Sequence, residues 1–164
     1  MKTKYLYLSL AGVLLFIMCQ QPSNNKDTEA LMNVTSTKTC YVAADGKDSA
    51  FLAINTYADR AVTGQLDILY EDHRNNTGSF TGSFKGDTLF VQYRFQSDKT
   101  ARTVFTNPLA FLKSGDSLIL GTGKIMKNLG RVYLDEKQGL DFEKGRFRFY
   151  TIDCKERLLN LSAK

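Results

Sequence analysis

The sequence predicts an all-β domain in which an antiparallel meander of short strands closes into a barrel of eight or nine strands. Three observations lead to this fold class. Apolar and polar residues alternate with period two over many short segments, turn residues separate those segments, and a helical repeat is almost absent. The 164 residues fit one domain, and 8 Tyr with 11 Phe supply more apolar surface than a disordered chain carries.

The first element in chain order is predicted to be an export signal at residues 1–18. Lys2 and Lys4 precede an apolar run at residues 5–18, which is shorter than the roughly 20 residues a membrane-spanning helix needs. Residues 16–19 read Phe-Ile-Met-Cys and resemble the lipobox of bacterial lipoproteins. The resemblance implies that Cys19 becomes the amino terminus and carries acyl chains such as palmitate. The alternatives are a plain signal peptide or an uncleaved anchor.

Residues 19–36 are predicted to form a polar tether between the anchor and a folded domain at residues 37–164. This organisation places the protein in the bacterial cell envelope, bound through its lipid to the outer membrane, on either the periplasmic or the surface face. Residues 26–29, Lys-Asp-Thr-Glu, are similar to the charged stretch that sends some lipoproteins to the surface. Loss of residues 1–18 lowers the formal charge from +5 to +3, too weak a balance to favour nucleic acid.

The two remaining cysteines, Cys40 and Cys154, lie near opposite ends of the folded region. An exported chain with an even number of free cysteines favours a disulfide. The alternatives are two free thiols or metal ligands, but the single histidine lies far from both in sequence, so we predict neither a metal nor a cofactor. A bridge would bring the first and last strands together and so close the sheet.

The predicted strands follow in order, and the clearest alternate apolar residues on one face, as do Phe80 with Phe84 and Val91 with Tyr93. Their residue ranges are 51–56, 62–70, 77–84, 89–95, 102–106, 109–113, 117–121, 131–134 and 147–152. A short helix is predicted at residues 155–161. A glycine with Asp and then Ser or Thr shortly after it recurs at Gly46, where Lys47 intervenes, and at Gly86 and Gly115, and predicts tight turns. These features favour a lipocalin-like up-and-down barrel, with a two-sheet sandwich as the alternative.

Catalytic side chains are sparse. His73 lies beside Glu71 and Asp72 in a polar loop, where a general base would lack both water exclusion and an orienting partner. We therefore predict that the protein is not an enzyme, and that it is a monomer.

Three arginines, Arg94, Arg102 and Arg148, fall within predicted strands and are candidate ligand-binding residues. If they face the barrel interior, their guanidinium groups could hold a carboxylate or a sulfate. If they face outward, they are ordinary solvated charges of a half-buried strand.

A second resemblance concerns the domain itself. Cys40-Tyr41, the segment Gly-Asp-Thr-Leu-Phe-Val-Gln-Tyr-Arg-Phe-Gln-Ser-Asp at residues 86–98, and Arg102 together resemble a group of small uncharacterised envelope lipoproteins. This chain has Asp-Lys at residues 98–99 where that group has Glu-Gly. The resemblance implies a shared fold and adds Ser97 to the candidate site, but it implies no activity. We expect a lipid-anchored, non-catalytic module that binds a small ligand in the barrel mouth; the alternative is an assembly component that contacts another envelope protein.

Overall fold

The structure, a computed structural model, describes residues 35–98 and 102–155. It confirms the all-β class: eight antiparallel strands form a closed barrel, in the order β1 to β7 followed by β10, which pairs again with β1. The strands are β1 Ser36–Asp45, β2 Asp48–Tyr57, β3 Ala61–Leu69, β4 Asn76–Lys85, β5 Thr88–Ser97, β6 Phe105–Ser114, β7 Ser117–Leu120, β8 Ile125–Asn128, β9 Arg131–Leu134 and β10 Arg148–Ile152. Strands β8 and β9 form a separate two-stranded sheet. Closure excludes the two-sheet sandwich.

The core fills the inside of the barrel because each strand turns alternate side chains inward. The side chains that form it are Ala43, Ala50, Leu52, Ile54, Val62, Leu66, Ile68, Phe80, Leu89, Val91, Tyr93, Phe95, Phe111, Leu118, Phe147 and Phe149. Large and small residues complement one another. The Phe80 ring covers Gly64 so closely that a Cβ there would lie 2.2 Å from Phe80 Cζ.

The repeated turn motif forms three two-residue hairpin turns, as predicted. Gly46, Gly86 and Gly115 have φ of 63°, 59° and 59°, a left-handed conformation that glycine adopts without steric cost. Each turn sets the register of the strands it joins, and Asp45 accordingly pairs with Asp48.

The barrel strands differ in length around its circumference. Strands β1 to β6 have nine or ten residues each, whereas β7 has four and β10 has five. Between β7 and β10 the chain makes an excursion, residues 121–147, which contains the β8–β9 hairpin and a short 3₁₀ turn at Glu136–Gln138. The excursion packs on the outside of the barrel, where Gln92 Nε2 donates to the Val132 carbonyl at 2.9 Å and Lys85 pairs with Glu136 at 2.7 Å.

The predicted disulfide is confirmed. Cys40 of β1 pairs in register with Ile152 of β10, so Cys154, two residues farther on, lies on the same outer side of the sheet. The Cα atoms of the two cysteines are 5.1 Å apart, and their sulfur atoms are bonded. The bridge therefore joins the strands at which the barrel closes.

Several predicted boundaries differ from the structure. The segments predicted at residues 102–106 and 109–113 form one strand, β6, and Arg102 lies before it. Pro108 does not interrupt β6, because this part of the strand has no ladder partner on the β7 side among the described residues. No range was predicted for β1 or β8, and β1 begins at Ser36, within the stretch predicted as a tether.

Three predictions concern residues outside the described part of the chain. The export signal and the lipidation of Cys19 lie there, as does almost all of the predicted tether. The predicted helix at residues 155–161 has only Lys155 among the described residues, and Lys155 belongs to a turn.

Candidate functional site

The unequal strand lengths leave a notch in the barrel wall. The β6–β7 ladder reaches from the Ser114–Ser117 pair to the Phe111–Leu120 pair, and one further bond links Gly121 N to the Ala110 carbonyl. The first half of β6 consequently has no strand hydrogen-bonded to it on that side, among the residues the structure describes. The β10–β1 ladder also stops short of the end of β1, at the Val42–Tyr150 pair.

Two side chains in the notch face the barrel interior and are nevertheless exposed. Phe105 pairs directly with Phe95, and Asn107 pairs with Tyr93; opposite residues of an antiparallel pair lie on the same face of the sheet. Phe95 and Tyr93 belong to the core, yet Phe105 is 46% exposed and Asn107 is also exposed. We call Phe105, Asn107 and the Phe95 ring beneath them the notch site.

An aromatic stack leads from the core to the notch site. The rings of Tyr93 and Phe95 stack at 4.8 Å, and those of Phe95 and Phe105 stack at 5.5 Å. Exposure rises along the stack from 2% at Tyr93 to 9% at Phe95 and 46% at Phe105. The last ring therefore presents an accessible aromatic face on a support that packing holds in place.

Deeper in the barrel, the polar groups already have partners. The Tyr93 hydroxyl donates to the Leu66 carbonyl at 2.8 Å, and burial, assisted by nearby Asp67, raises the Tyr93 pKa. No buried side-chain polar atom of the described residues lacks a hydrogen-bond partner. The interior offers a ligand neither an unpaired donor nor an unpaired acceptor, so the exposed notch is the better-suited place for binding.

An ion-pair cluster ties the end of the excursion to the β1–β2 turn at the same end of the barrel. Arg146 Nε lies 2.7 Å from Asp45 Oδ2, and Arg146 Nη2 lies 2.6 Å from Asp48 Oδ2. The Glu71 N–H and the Arg146 guanidinium lower the pKa of Asp48. Lys47 pairs with Glu71 beside them. These contacts hold the segment that leads into β10 against the longer strands.

The predicted loop residue His73 is exposed, and its ring stacks on Tyr70 with centroids 4.5 Å apart. Tyr70 packs against the core, and burial raises its pKa. His73 thus covers an aromatic ring at the rim. Within residues 35–98 and 102–155, no three His, Cys, Asp or Glu side chains are grouped so that they could hold a metal ion.

The hypothesis that Arg94 and Arg148 line the interior is wrong. Arg94 alternates with Tyr93 and Phe95, and Arg148 alternates with Phe147 and Phe149; these aromatic side chains are the ones that turn inward. Both arginines are exposed, so they take the outward alternative that the sequence left open. An interior carboxylate or sulfate clamp built from them is excluded by this alternation.

Ser97 and Arg102 lie at the same end of the barrel as the notch site. Ser97 is the last residue of β5, pairs with Asn76 and is half-buried. Arg102 is exposed and precedes Phe105 by three residues. Arg94 is also at this end, since it pairs with Thr106 between the two exposed notch residues, but its side chain is on the outer face.

The sequence analysis missed Phe105, Asn107 and Arg146. Phe105 carried a usable signal, because it begins the alternation that continues through Asn107 and Leu109 to Phe111. Its exposure carried none, since exposure depends on how far the neighbouring strand extends. Arg146 is 98 and 101 residues from its two partners, and no local pattern indicates such a contact.

Two shallow depressions lie elsewhere on the surface. One follows the outer face of β2 to β4 near Asn55, Gln65 and Thr81, and the other lies beside Thr122 and Asp141 in the excursion. Both are lined mainly by polar side chains and glycines. Phe80 contributes to the lining of the first and Leu140 to that of the second, so each has fewer large apolar side chains than small-molecule sites usually have.

Within the described residues, no helix combines the length and the apolar character needed to span a bilayer. Comparisons with protein-family models, curated proteins and solved structures find no match to this chain.

Proposed function

We propose that the protein is a lipid-anchored component of the bacterial cell envelope whose barrel binds a small ligand at the notch site. The observation that carries the binding proposal is the exposed, inward-facing ring of Phe105 stacked on the buried ring of Phe95. A half-exposed aromatic ring leaves apolar surface in contact with water. A ligand with a flat apolar face would cover that surface, and removing it from water favours binding.

The chemistry of the notch site suggests the class of ligand. Phe105 offers a stacking face, Asn107 offers an amide that both donates and accepts hydrogen bonds, and Arg102 places a positive charge three residues from the ring. An aromatic or otherwise flat molecule that carries an acidic group suits this set. The binding mode differs from the one predicted from sequence, because the ligand would rest on the filled interior instead of entering it.

The anionic dye 1-anilinonaphthalene-8-sulfonate tests the binding proposal, because it combines flat aromatic rings with a sulfonate. We expect saturable binding with a blue-shifted emission, and we expect Phe105→Ala to abolish it. Arg102→Gln should weaken binding through loss of the charge, by about 10-fold for one charged hydrogen bond.

The matched control is Tyr150→Ala, which removes an aromatic side chain that is 58% exposed on the outer wall of β10. This variant should bind the dye as well as the wild type does. Equal loss in both variants, or full binding by Phe105→Ala, would contradict a specific site at the notch. Near-ultraviolet circular dichroism of each variant checks that dye binding does not report a loosened core.

The anchor half of the proposal rests on the sequence of residues 1–19. Acyl chains on Cys19 would hold the protein on a membrane, and Cys19→Ala should therefore move it from the membrane fraction to the soluble fraction after a high-salt wash. Retention of this variant in washed membranes would favour the uncleaved-anchor alternative.

A second candidate function, contact with another envelope protein, is favoured by one feature of the outer wall. Val42 and Tyr150 are directly paired across β1 and β10 and are 39% and 58% exposed, so they form a small apolar patch near the disulfide. If the patch binds a protein, a photoreactive amino acid at position 150 should cross-link one discrete partner in intact cells. Absence of a cross-linked species would exclude this candidate.

A further inference from the structure

The tip of the β8–β9 hairpin exposes a large apolar side chain. Leu129 is 96% exposed, well above the other exposed large apolar residues of the described chain, the next being Tyr150 at 58%. Ile125 and Tyr133, on the two strands of the same hairpin, are 52% and 42% exposed. Leu129 is therefore almost fully uncovered, and about half of Ile125 and of Tyr133 is uncovered.

The backbone at the tip is also unfavourable for leucine. Leu129 and Gly130 have φ of 47° and 78° and form the two-residue turn between β8 and β9. Turns with two positive φ values favour Asn-Gly or Gly-Gly, because a branched apolar side chain is strained in the left-handed region. Neither burial nor local conformation explains a leucine here, and strained residues of this kind concentrate at functional sites.

Positive charge surrounds the leucine. Lys127 and Arg131 flank the turn, Lys124 lies at the start of the hairpin, and all three are exposed. Residues 124–134 contain no Asp or Glu.

The acidic residues that follow the hairpin make contacts elsewhere. Asp135 accepts hydrogen bonds from Lys137 N and Gln138 Nε2, and Glu136 pairs with Lys85 of the barrel. The cations near the tip are therefore not neutralised by these neighbouring carboxylates.

The hairpin is held against the barrel close to its tip. Gln92 Nε2 donates to the carbonyl of Val132, which pairs with Lys127, and Asp135 N donates to the Lys124 carbonyl at 2.8 Å where the hairpin opens. Because the hairpin is already ordered, its tip loses less conformational entropy on binding than a flexible loop would lose.

We propose that the hairpin tip, residues 127–131, is a contact site for an anionic phospholipid bilayer. Leu129 enters the boundary between headgroups and acyl chains, while Lys127 and Arg131 contact the lipid phosphates. An apolar apex ringed by cations matches this surface, which is negative outside and apolar just beneath. The inference rests on the proposed lipid anchor in one respect. The anchor would hold the chain near a bilayer, so that a weak contact of the hairpin tip with lipid would be enough to orient the barrel.

The test uses the full chain bound to vesicles and takes advantage of its lack of tryptophan. Leu129→Trp places the sole indole at the tip, and Tyr150→Trp places it on the outer wall as a matched control. On phosphatidylglycerol vesicles whose acyl chains are brominated, we expect the emission of Leu129→Trp to shift to the blue and to be quenched, while that of Tyr150→Trp stays unchanged. On phosphatidylcholine vesicles both should behave as the control does.

Charge removal sharpens the result. Adding Lys127→Gln and Arg131→Gln to Leu129→Trp should weaken the lipid contact of the tip about 30-fold and bring quenching to the control level. Equal quenching of Leu129→Trp and Tyr150→Trp on anionic vesicles would overturn the proposal. An unquenched Leu129→Trp on a chain that sediments with the vesicles would overturn it as well, and would indicate that the tip contacts a protein. Sedimentation reports membrane binding of the whole chain separately, so failure of the anchor proposal is distinguishable from failure of the tip proposal.

Discussion

The barrel has a long-stranded side and a short-stranded side. On the first, β1 to β6 have nine or ten residues each and pair along most of their length through short connections. On the second, β7 and β10 have four and five residues, pair with each other at three positions, and are separated by the excursion at residues 121–147. The two sides therefore have different roles. The long strands form a continuous hydrogen-bonded wall, whereas the short strands leave part of the interior accessible.

The largest expected effect comes from breaking the covalent link on the short-stranded side. Three pairs join β10 to β1, and the Cys40–Cys154 disulfide closes a loop of 114 residues there. Replacing both cysteines by alanine should lower the free energy of unfolding by up to about 4–5 kcal/mol, since the open chain gains entropy when unfolded. Urea denaturation of the variant and the wild type measures this.

Hydrogen exchange locates the effect. The double variant should exchange the amides of β10 and the facing part of β1 faster, relative to β3 and β4, than the wild type does. A uniform change over the whole barrel, or unchanged stability, would mean that the two sides do not differ in the way proposed.

The next effect contrasts two stacked rings at the border of the two sides. Phe95→Ala removes a ring that is 9% exposed and should cost about 3–5 kcal/mol of unfolding free energy. Phe105→Ala removes a ring that is 46% exposed and should cost about 1–2 kcal/mol, because only about half of the ring is buried. Thermal and urea unfolding compare them, and similar costs would indicate that Phe105 is a core residue and not a binding surface.

The smallest effect concerns the ion pairs that cross between the sides. Arg146→Gln should lower the unfolding midpoint slightly, and the loss should shrink in high salt because Arg146 and Asp45 are about half exposed, although Asp48 is only 14% exposed. The folded-state pKa of Asp48 is lowered, so its contribution is present above the ordinary value of 3.8 and is lost as pH falls through the lower value. The difference between variant and wild type should therefore disappear in strong acid.

Lys144→Gln is the matched control, since Lys144 pairs with Asp141 within the excursion and ties nothing to the barrel. It should leave the unfolding midpoint nearly unchanged at every pH. If both variants behave alike, Arg146 does not fasten the two sides together.

Prediction from the sequence succeeded where structure depends on local chemistry. The glycine turns at Gly46, Gly86 and Gly115 need a left-handed residue at a fixed place, and the period-two alternation of Val91, Tyr93 and Phe95 reports a strand with one buried face. It failed where placement depends on partners far along the chain. Arg146 is the example, because its partners Asp45 and Asp48 lie 101 and 98 residues away in the chain. The outward face of Arg94, in contrast, already follows from its alternation with Tyr93 and Phe95.

The sequence by itself determined most of the strands and their glycine turns, because alternation and glycine conformation act over short stretches. The Cys40–Cys154 bridge was predicted on the expectation that Cys19 is lipidated, and the structure confirms the bridge. Tertiary structure decided the notch. Phe105 is exposed because β7 stops pairing at Leu120, and Leu129 is exposed at the turn of the β8–β9 hairpin, whose strand β9 packs on β5 and β6. The exposure of Phe105 and the exposure of Leu129 both depend on where one strand ends relative to strands far away in the chain. No local run of residues encodes that position.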